Sequence, residues 1–470
     1  MLNNYITAEL FKCQQFSLKS IDFNEEESSV MLTYGSQEKT SAVRCPDCGA
    51  QVYAQSRDTF DLKDMPVFYG IAQTIRAEIH RYQCRSCSKV FTEDLGMLRH
   101  PGTRITERAA IWLRGLLQFH IPISSISRFT GIRWNTICRI HKEYMGEKLE
   151  QRSSELREKK YKPRYLAVDE FAVHKGHTYA TCVMDLEEGD VLWVGKGRAK
   201  EDFRRFFEEY DLSLLSEVKA VAMDMNASYH ILVEEYLPHV KIVYDRYHMQ
   251  AQFGKDVLGS VRLEEAKEHQ RKAHEYQDAL LREADQAKRK EIKAAAQEEL
   301  HTYSTIKSSR WKLLMSGRKL KGSKAESLKQ ILSDHSRLAL CYAMKEEMSE
   351  LFELDNPDIA EERWTAWFNA AKASKIPQLV KFAELKEKRM EGLISHAVYP
   401  ISTGKLEGFN NKIKVAKRIG YGFRNDDYFF TLIRYLSLPS VRRPFHNFCE
   451  EPLFWRNSII DMKALCEMRG

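Results

Sequence analysis

The chain has 470 residues, enough for two or three domains and at least one large core. Its 43% hydrophobic and 30% charged composition excludes a disordered or fibrous chain. No run approaches the ~18 uninterrupted apolar residues of a spanning helix, and Met1-Leu-Asn-Asn-Tyr-Ile6 lacks a signal pattern, so a cytoplasmic location without membrane contact is expected.

The net charge of +7 is a mild excess that speaks for nucleic acid only where it clusters beside chemistry. Four of the ten cysteines form two C-x-x-C pairs, while Cys13, Cys138, Cys182, Cys341, Cys449 and Cys466 are scattered. That pattern favours one metal site plus buried thiols over a disulfide framework.

Residues 1–100 begin with a short helix around Ile6 to Cys13 and a strand at Ser29 to Tyr34. The knuckles Cys45-Pro-Asp-Cys48 and Cys84-Arg-Ser-Cys87 can bring four thiolates to one structural zinc ion; the alternative is four unligated thiols. Between them Ile71 to His80 alternates as a strand does, and the module resembles a zinc ribbon.

Residues 101–150 turn helical: Thr106 to Leu117, Ile123 to Thr130, then Gly131 and Trp134 to Tyr144. Two short helices joined at a glycine fit a DNA-binding helix-turn-helix, with Arg133, Asn135, Thr136 and Arg139 toward a major groove; an ordinary helical hairpin is the alternative. Residues 151–162 are charged and read as a linker helix or hinge.

From residue 163 to 257 the pattern is strand (Tyr165 to Val173), strand (Tyr179 to Leu186), strand (Val191 to Val194), helix, strand (Val218 to Met223), helix and strand (Val240 to Tyr244). That order is the one of a ribonuclease-H-like α/β core with a mixed sheet. Residues 258–395 show only helical periodicity, an all-helical insertion in that core. Within it the charged run Leu263 to His301 reads as a solvated helix rather than a nucleic-acid arm, and Trp311, Trp364 and Trp367 are assigned to the core. Residues 396–437 return to the core with a helix bearing Glu407, and 438–470 form a loop-rich tail.

Asp169 interrupts an apolar strand, Asp224 ends another, and Glu407 stands on the late helix. A carboxylate set among apolar strand residues is costly unless it binds something, and three such acids suit two Mg²⁺ ions, with Mn²⁺ as a substitute. Helical steps from Glu407 bring Asn411, Lys414 and Arg418 to one face, with Lys412 and Lys417 nearby, as contacts for backbone phosphates. Glu170 alternates to the other strand face, and Asp185 and Asp190 flank a turn. Asp245 and His248, in Asp245-Arg-Tyr-His248, read either as an accessory pair or as a strand-end turn with a satisfied histidine.

These residues together resemble the DDE transposases of bacterial insertion sequences, of the ISL3 type, over nearly the whole chain. The matching parts are the paired knuckles with Phe91-Thr-Glu93, the helix-turn-helix, Val168-Asp169-Glu170, Met223-Asp224-Met225 with Tyr229, Asp245-Arg-Tyr-His248, and Gly404-Lys-Leu-Glu407-Gly-Phe-Asn410-Asn-Lys-Ile-Lys414 continuing to Arg418, Tyr421-Gly422 and Arg424. The resemblance implies that Asp169, Asp224 and Glu407 form the catalytic triad, with Asp245 and His248 in a C/D-x-x-H motif. It further implies binding of terminal inverted repeats and target DNA, metal-dependent cleavage and strand transfer in the bacterial nucleoid, and a homodimer holding two ends. A nuclease of the same fold without strand transfer, and a DNA-binding regulator with merely structural acids, are the rival readings.

Overall fold

The computed structural model describes residues 16–36, 42–66, 71–95, 99–119, 121–174, 178–420 and 422–442. The expected helix around Ile6 to Cys13, together with Tyr421, Cys449, Cys466 and most of the tail, lies outside them. The chain divides into two compact units, residues 1–160 with 411–470 and residues 161–410.

In the first unit β1 (Phe16–Asn24), β2 (Ser29–Ser36), β3 (Val52–Lys63), β4 (Ala72–Cys84) and β5 (Val90–Thr92) form one sheet in the order β1-β2-β4-β3, with β5 also on β4. Alternation along β4 buries Ile75, Ala77 and Ile79 against Phe16, Tyr34, Leu62 and Leu95. After Ile79 the burial phase changes, opposite an irregularity in the β3 pairing between Ala54 and Ser56. Tyr82 and Cys84 then turn inward to a second small core with Cys45 and Val52.

Three helices follow: α1 (Glu107–Gln118), α2 (Ile123–Thr130) and α3 (Trp134–Glu158). Thr106 caps α1 by accepting from Ala109 N at 3.1 Å. Gly131, at φ 67°, ends α2 in the left-handed conformation that glycine adopts most readily. Ala109, Leu113, Ile126, Ile137 and Ile140 close a core between the three helices. Residues 151–158 continue α3 without a break, so the expected linker is the end of a 25-residue helix. Buried Asp64 ties the sheet to α1, accepting from Gln73 Nε2 at 2.6 Å and from Thr106 and Arg108.

In the second unit β6 (Tyr165–His174), β7 (Thr178–Asp185) and β8 (Val191–Lys196) form an antiparallel meander. Beyond α4 (Lys200–Glu209), β9 (Ala220–Met223) lies parallel to β6; beyond α5 (Ala227–Tyr236), β10 (Lys241–Tyr244) lies parallel to β9. The sheet order is β10-β9-β6-β7-β8, which puts the strands carrying and preceding the two aspartates side by side.

The remainder of this unit is helical: α6 (Arg246–Phe253), α7 (Ser260–Arg282), α8 (Gln286–Ser308), α9 (Arg310–Leu314), α10 (Ser323–Asp334), α11 (Ser336–Leu351), α12 (Pro357–Ala373), α13 (Pro377–Glu387), α14 (Met390–Val398) and the first residues of α15 (Gly404–Ile419). The charged run Leu263 to His301 is not one helix but most of α7 and α8, which pack on each other; Asp285 restarts the second by accepting from Ala287 N and Lys288 N. Trp364 and Trp367 are buried as expected, but Trp311 is 70% exposed. The five-residue α9 buries only Leu313, and residues two apart on a helix face opposite sides.

Helix α16 (Asp426–Ser437) belongs to the first unit and packs on α3, where His141 Nδ1 lies 2.6 Å from the Tyr428 hydroxyl, and a short helix, α17 (Pro439–Arg442), follows it at the start of the expected loop-rich tail. Among the described residues no helix is long and apolar enough to cross a membrane.

Candidate active site

Asp169 lies on β6 opposite Cys182 of β7. On its other side the parallel pairing runs to Ala167↔Ala222 and β9 ends at Met223, so Asp224 leaves the sheet just where Asp169 is reached. One Asp169 oxygen accepts from Glu170 N at 2.8 Å and the other from Asn410 Nδ2 at 2.8 Å. Burial raises the Asp169 carboxyl to about 6; the Glu170 N–H and His248 oppose the shift, and the charges of Asp224 and Glu407 add to it. Asp224 accepts from Asn226 N at 3.0 Å.

Glu407 stands in the first turn of α15, where its Oε1 accepts from Thr403 Oγ1 at 3.2 Å and lies 3.4 Å from His248 Nε2. Asp245 fixes that meeting. One of its oxygens caps α6 by accepting from Tyr247 N and His248 N, and the other accepts from Thr403 N at 2.8 Å. The two helix starts that carry His248 and Glu407 are thus joined through one buried carboxylate.

The ligand atoms of Asp245, His248 and Glu407 lie within 4.8 Å of one another, as metal ligands would. Both Asp245 oxygens accept from backbone N–H groups, so Asp245 also clips the two helix starts together; Asp169, with Asp224 and Glu407 close enough for their charges to act on it, supplies the other carboxylates gathered here. Oxygen donors of this kind fit a hard divalent cation, whose charge would relieve the repulsion that helps keep the Asp169 carboxyl high.

Alternation along β6 sends Glu170 toward α5, as expected, where Tyr229 OH and Asn226 Nδ2 hold it at 3.1 and 3.3 Å. It is not remote, however: Glu170, Arg198, Asp224, Asn226, Gln252 and Lys386 are among the residues lining one open cleft of about 570 Å³. Asp185 and Asp190 are buried at their turn, with Asp185 accepting from Tyr161 OH at 2.7 Å.

The four knuckle sulfurs lie within 4.8 Å of one another, and the pairs Cys45–Cys87, Cys48–Cys84 and Cys48–Cys87 are 3.5 Å apart. Zinc–sulfur bonds of about 2.3 Å put tetrahedral sulfurs about 3.8 Å apart, so the cluster fits a closed four-thiolate ion. Backbone N–H groups of Cys87 and Ser86 point at Cys84 Sγ from 3.4 and 3.3 Å and bring its thiol down to about 6.

At the start of α3, Arg133, Asn135 and Arg139 are exposed and Thr136 is half-buried. Arg139 lies 3.7 Å from Glu143. Asn411, Lys414 and Arg418 are exposed on α15, and Lys414 Nζ donates to Asn411 Oδ1 at 3.1 Å. Lys412 turns inward instead and donates to Leu436 O at 2.9 Å. Sequence reasoning missed Lys386 and gave no separate role to Asn410. The helical step of three from Glu407 could have flagged Asn410; nothing local marks Lys386.

The profile of a transposase family of the DDE, ISL3 type matches residues 166–433. The transposase for insertion sequence element IS1001 of Bordetella parapertussis is 30% identical over 437 residues, 92% of this chain and 98% of that protein. The transposase for insertion sequence element IS1557 of Mycobacterium tuberculosis is 24% identical over 266 residues, 56% of this chain and 57% of that protein.

Proposed function

The chain belongs to the ISL3 family of DDE transposases and is an insertion-sequence transposase, an enzyme that acts on DNA and uses divalent metal; we propose that Asp169, Asp224 and Glu407 are its catalytic carboxylates. The observation that carries this reading is the convergence of three chain segments on one half-buried acid. Asp169 has Asp224 at the neighbouring strand end and Asn410, one turn after Glu407, on its second oxygen.

In this reading the three carboxylates would hold two Mg²⁺ ions, whose charge, when bound, would favour activation of a water or 3′-hydroxyl and departure of the leaving oxygen in an in-line displacement. Asn410 orients Asp169, Thr403 and His248 orient Glu407, and Asp245 fixes the helix that delivers it. Cleavage of the element's terminal inverted repeats and joining of the freed 3′ ends to target DNA follow from the same site. A homodimer suits the need to hold two ends.

The β10-β9-β6-β7-β8 order, with Asp224 just past the end of β9 and Asp169 on the neighbouring β6, supports a ribonuclease-H-like core over residues 163–257, with the helical insertion 258–395 between it and the helix bearing Glu407. The four-sulfur cluster supports a structural zinc module in residues 1–100. The glycine-joined α2 and α3, with exposed Arg133, Asn135 and Arg139, support a helix-turn-helix reading DNA within residues 101–150. Arg418, Lys414 and Asn411 would contact backbone phosphates.

The test is Mg²⁺-dependent cleavage and strand transfer on DNA carrying the element's own ends, with wild type beside Asp224→Asn. Repeat-specific cutting and joining that the variant loses, with repeat binding intact, is the expected outcome. Equal cutting by both proteins would overturn the assignment.

A further inference from the structure

Lys386 is 6% exposed, in the last turn of α13, deep in the helical insertion. Its Nζ donates to Gln252 Oε1 at 2.6 Å and touches Met225 Sδ at 3.1 Å, and the Phe382 ring centroid is 5.5 Å away. All three partners are neutral. Among the described residues no carboxylate comes within ion-pairing distance of Lys386. Burial lowers its pKa, and Asp256 and Asp224 counter this through space alone.

Burying an ammonium without a carboxylate partner is costly, and the helix C-terminus offsets only part of that. Lys386 is among the residues lining the cleft that contains Asp224, and the Met225 that its ammonium touches directly follows that residue. Arg198, on the cleft as well, lies 3.6 Å from Glu170, so Lys386 is the cation there without a carboxylate at hand.

We propose that Lys386 binds the phosphodiester presented to Asp224, so that the helical insertion contributes a substrate-positioning cation to the site. Gln252 aims the ammonium, and Met225 and Phe382 keep water from its stem. This rests on the carboxylate assignment given above. A phosphate supplies the anion that the folded chain withholds, and its hydrogen bonds with a desolvated ammonium are charge-assisted.

The test uses the full chain and a repeat-end duplex in Ca²⁺, to read binding without turnover, with the phosphate at the cleavage position either natural or replaced by an uncharged methylphosphonate. Lys386→Met keeps the stem; Lys386→Gln substitutes where the methionine variant melts early. Wild type should lose roughly 10–100-fold in affinity on the neutral linkage, the variant should start that much weaker, and the neutral linkage should cost it distinctly less than it costs wild type. Lys386→Arg should recover part of the loss. Binding by both neutral variants that matches wild type, or an equal penalty from the neutral linkage in all proteins, would overturn the proposal. Asp224→Asn run in Mg²⁺ separates the two ideas: if it cuts normally the carboxylate assignment fails, and if it is inactive while both neutral Lys386 variants behave as wild type, only the role of Lys386 fails.

Discussion

Asn410 donates Nδ2 to Asp169 Oδ2 at 2.8 Å, while its own Oδ1 is buried with no hydrogen-bond partner among the described residues. The amide therefore orients one carboxylate and presents an unused acceptor beside it. Asn410→Ala should lower cleavage roughly 10–100-fold, the range of a hydrogen bond to a charged group, with the melting temperature shifted by only a few degrees. Single-turnover kinetics beside a thermal melt checks it. Full activity in the alanine variant would remove Asn410 from the site.

Asp245 joins two helix starts, and an amide cannot replace it. In Asp245→Asn the oxygen can still cap α6, but the NH₂ then faces Thr403 N–H, donor against donor. The expected loss is about 1–3 kcal/mol of stability, read from denaturant midpoints. Hydrogen exchange should become faster at the start of α15 in Asp245→Asn and at the starts of both α6 and α15 in Asp245→Ala. Protection lost at one helix alone in the alanine variant would contradict the double clip.

His100 is held between Glu107, 2.7 Å from Nδ1, and Glu143, 3.1 Å from Nε2. Donation of a hydrogen bond to Glu107 raises the His100 pKa, and His100 in turn lowers that of Glu107. The raised histidine contributes stability that is complete below its ordinary value and is lost as pH climbs through its folded value. The lowered carboxylate contributes stability that is complete above its ordinary value and is lost as pH falls through its folded value. Protection of the α1 amides should therefore be greatest between about pH 4.5 and 6.5 and decline on the alkaline side. His100→Gln should flatten that alkaline decline in pH-dependent hydrogen exchange.

The knuckles make two opposite predictions. Ser88, after the second one, sits at φ 61° where its counterpart Gly49 has φ 69°. Ser88→Gly should stabilise the module by about 0.5–1 kcal/mol, because glycine has no Cβ penalty there. A strong chelator should do the reverse and strip protection from β3, β4 and β5 while leaving the β6–β10 sheet protected. Zinc content by mass spectrometry of the native protein, with Cys84→Ser as control, identifies the ion.

The strands of the second unit were legible because Leu166, Val168, Val221 and Val243 stand in short apolar runs closed by turn residues, and that signal is local. The spacing of the knuckles was equally local. Trp311 was misassigned because composition marks a tryptophan as core, whereas its exposure depends on which side of a five-residue helix Leu313 takes. The break between α7 and α8 rests on the cap at Asp285, a weak signal inside a run of charge.

By itself the sequence determined the strand and helix order, the paired knuckles and the acids Asp169, Asp224 and Glu407 as candidates, since these depend on side-chain periodicity and short spacing. Only the tertiary structure decided that Asp245 joins the starts of α6 and α15, that Glu170 shares the cleft with Asp224, and that Lys386 enters it from a helix more than a hundred residues downstream. The physical reason is that burial and hydrogen-bond saturation belong to a residue's neighbours in space. Locally Asp245 caps its own helix through Tyr247 N–H and His248 N–H; it ties two distant segments only because folding brings Thr403 N–H to its second oxygen.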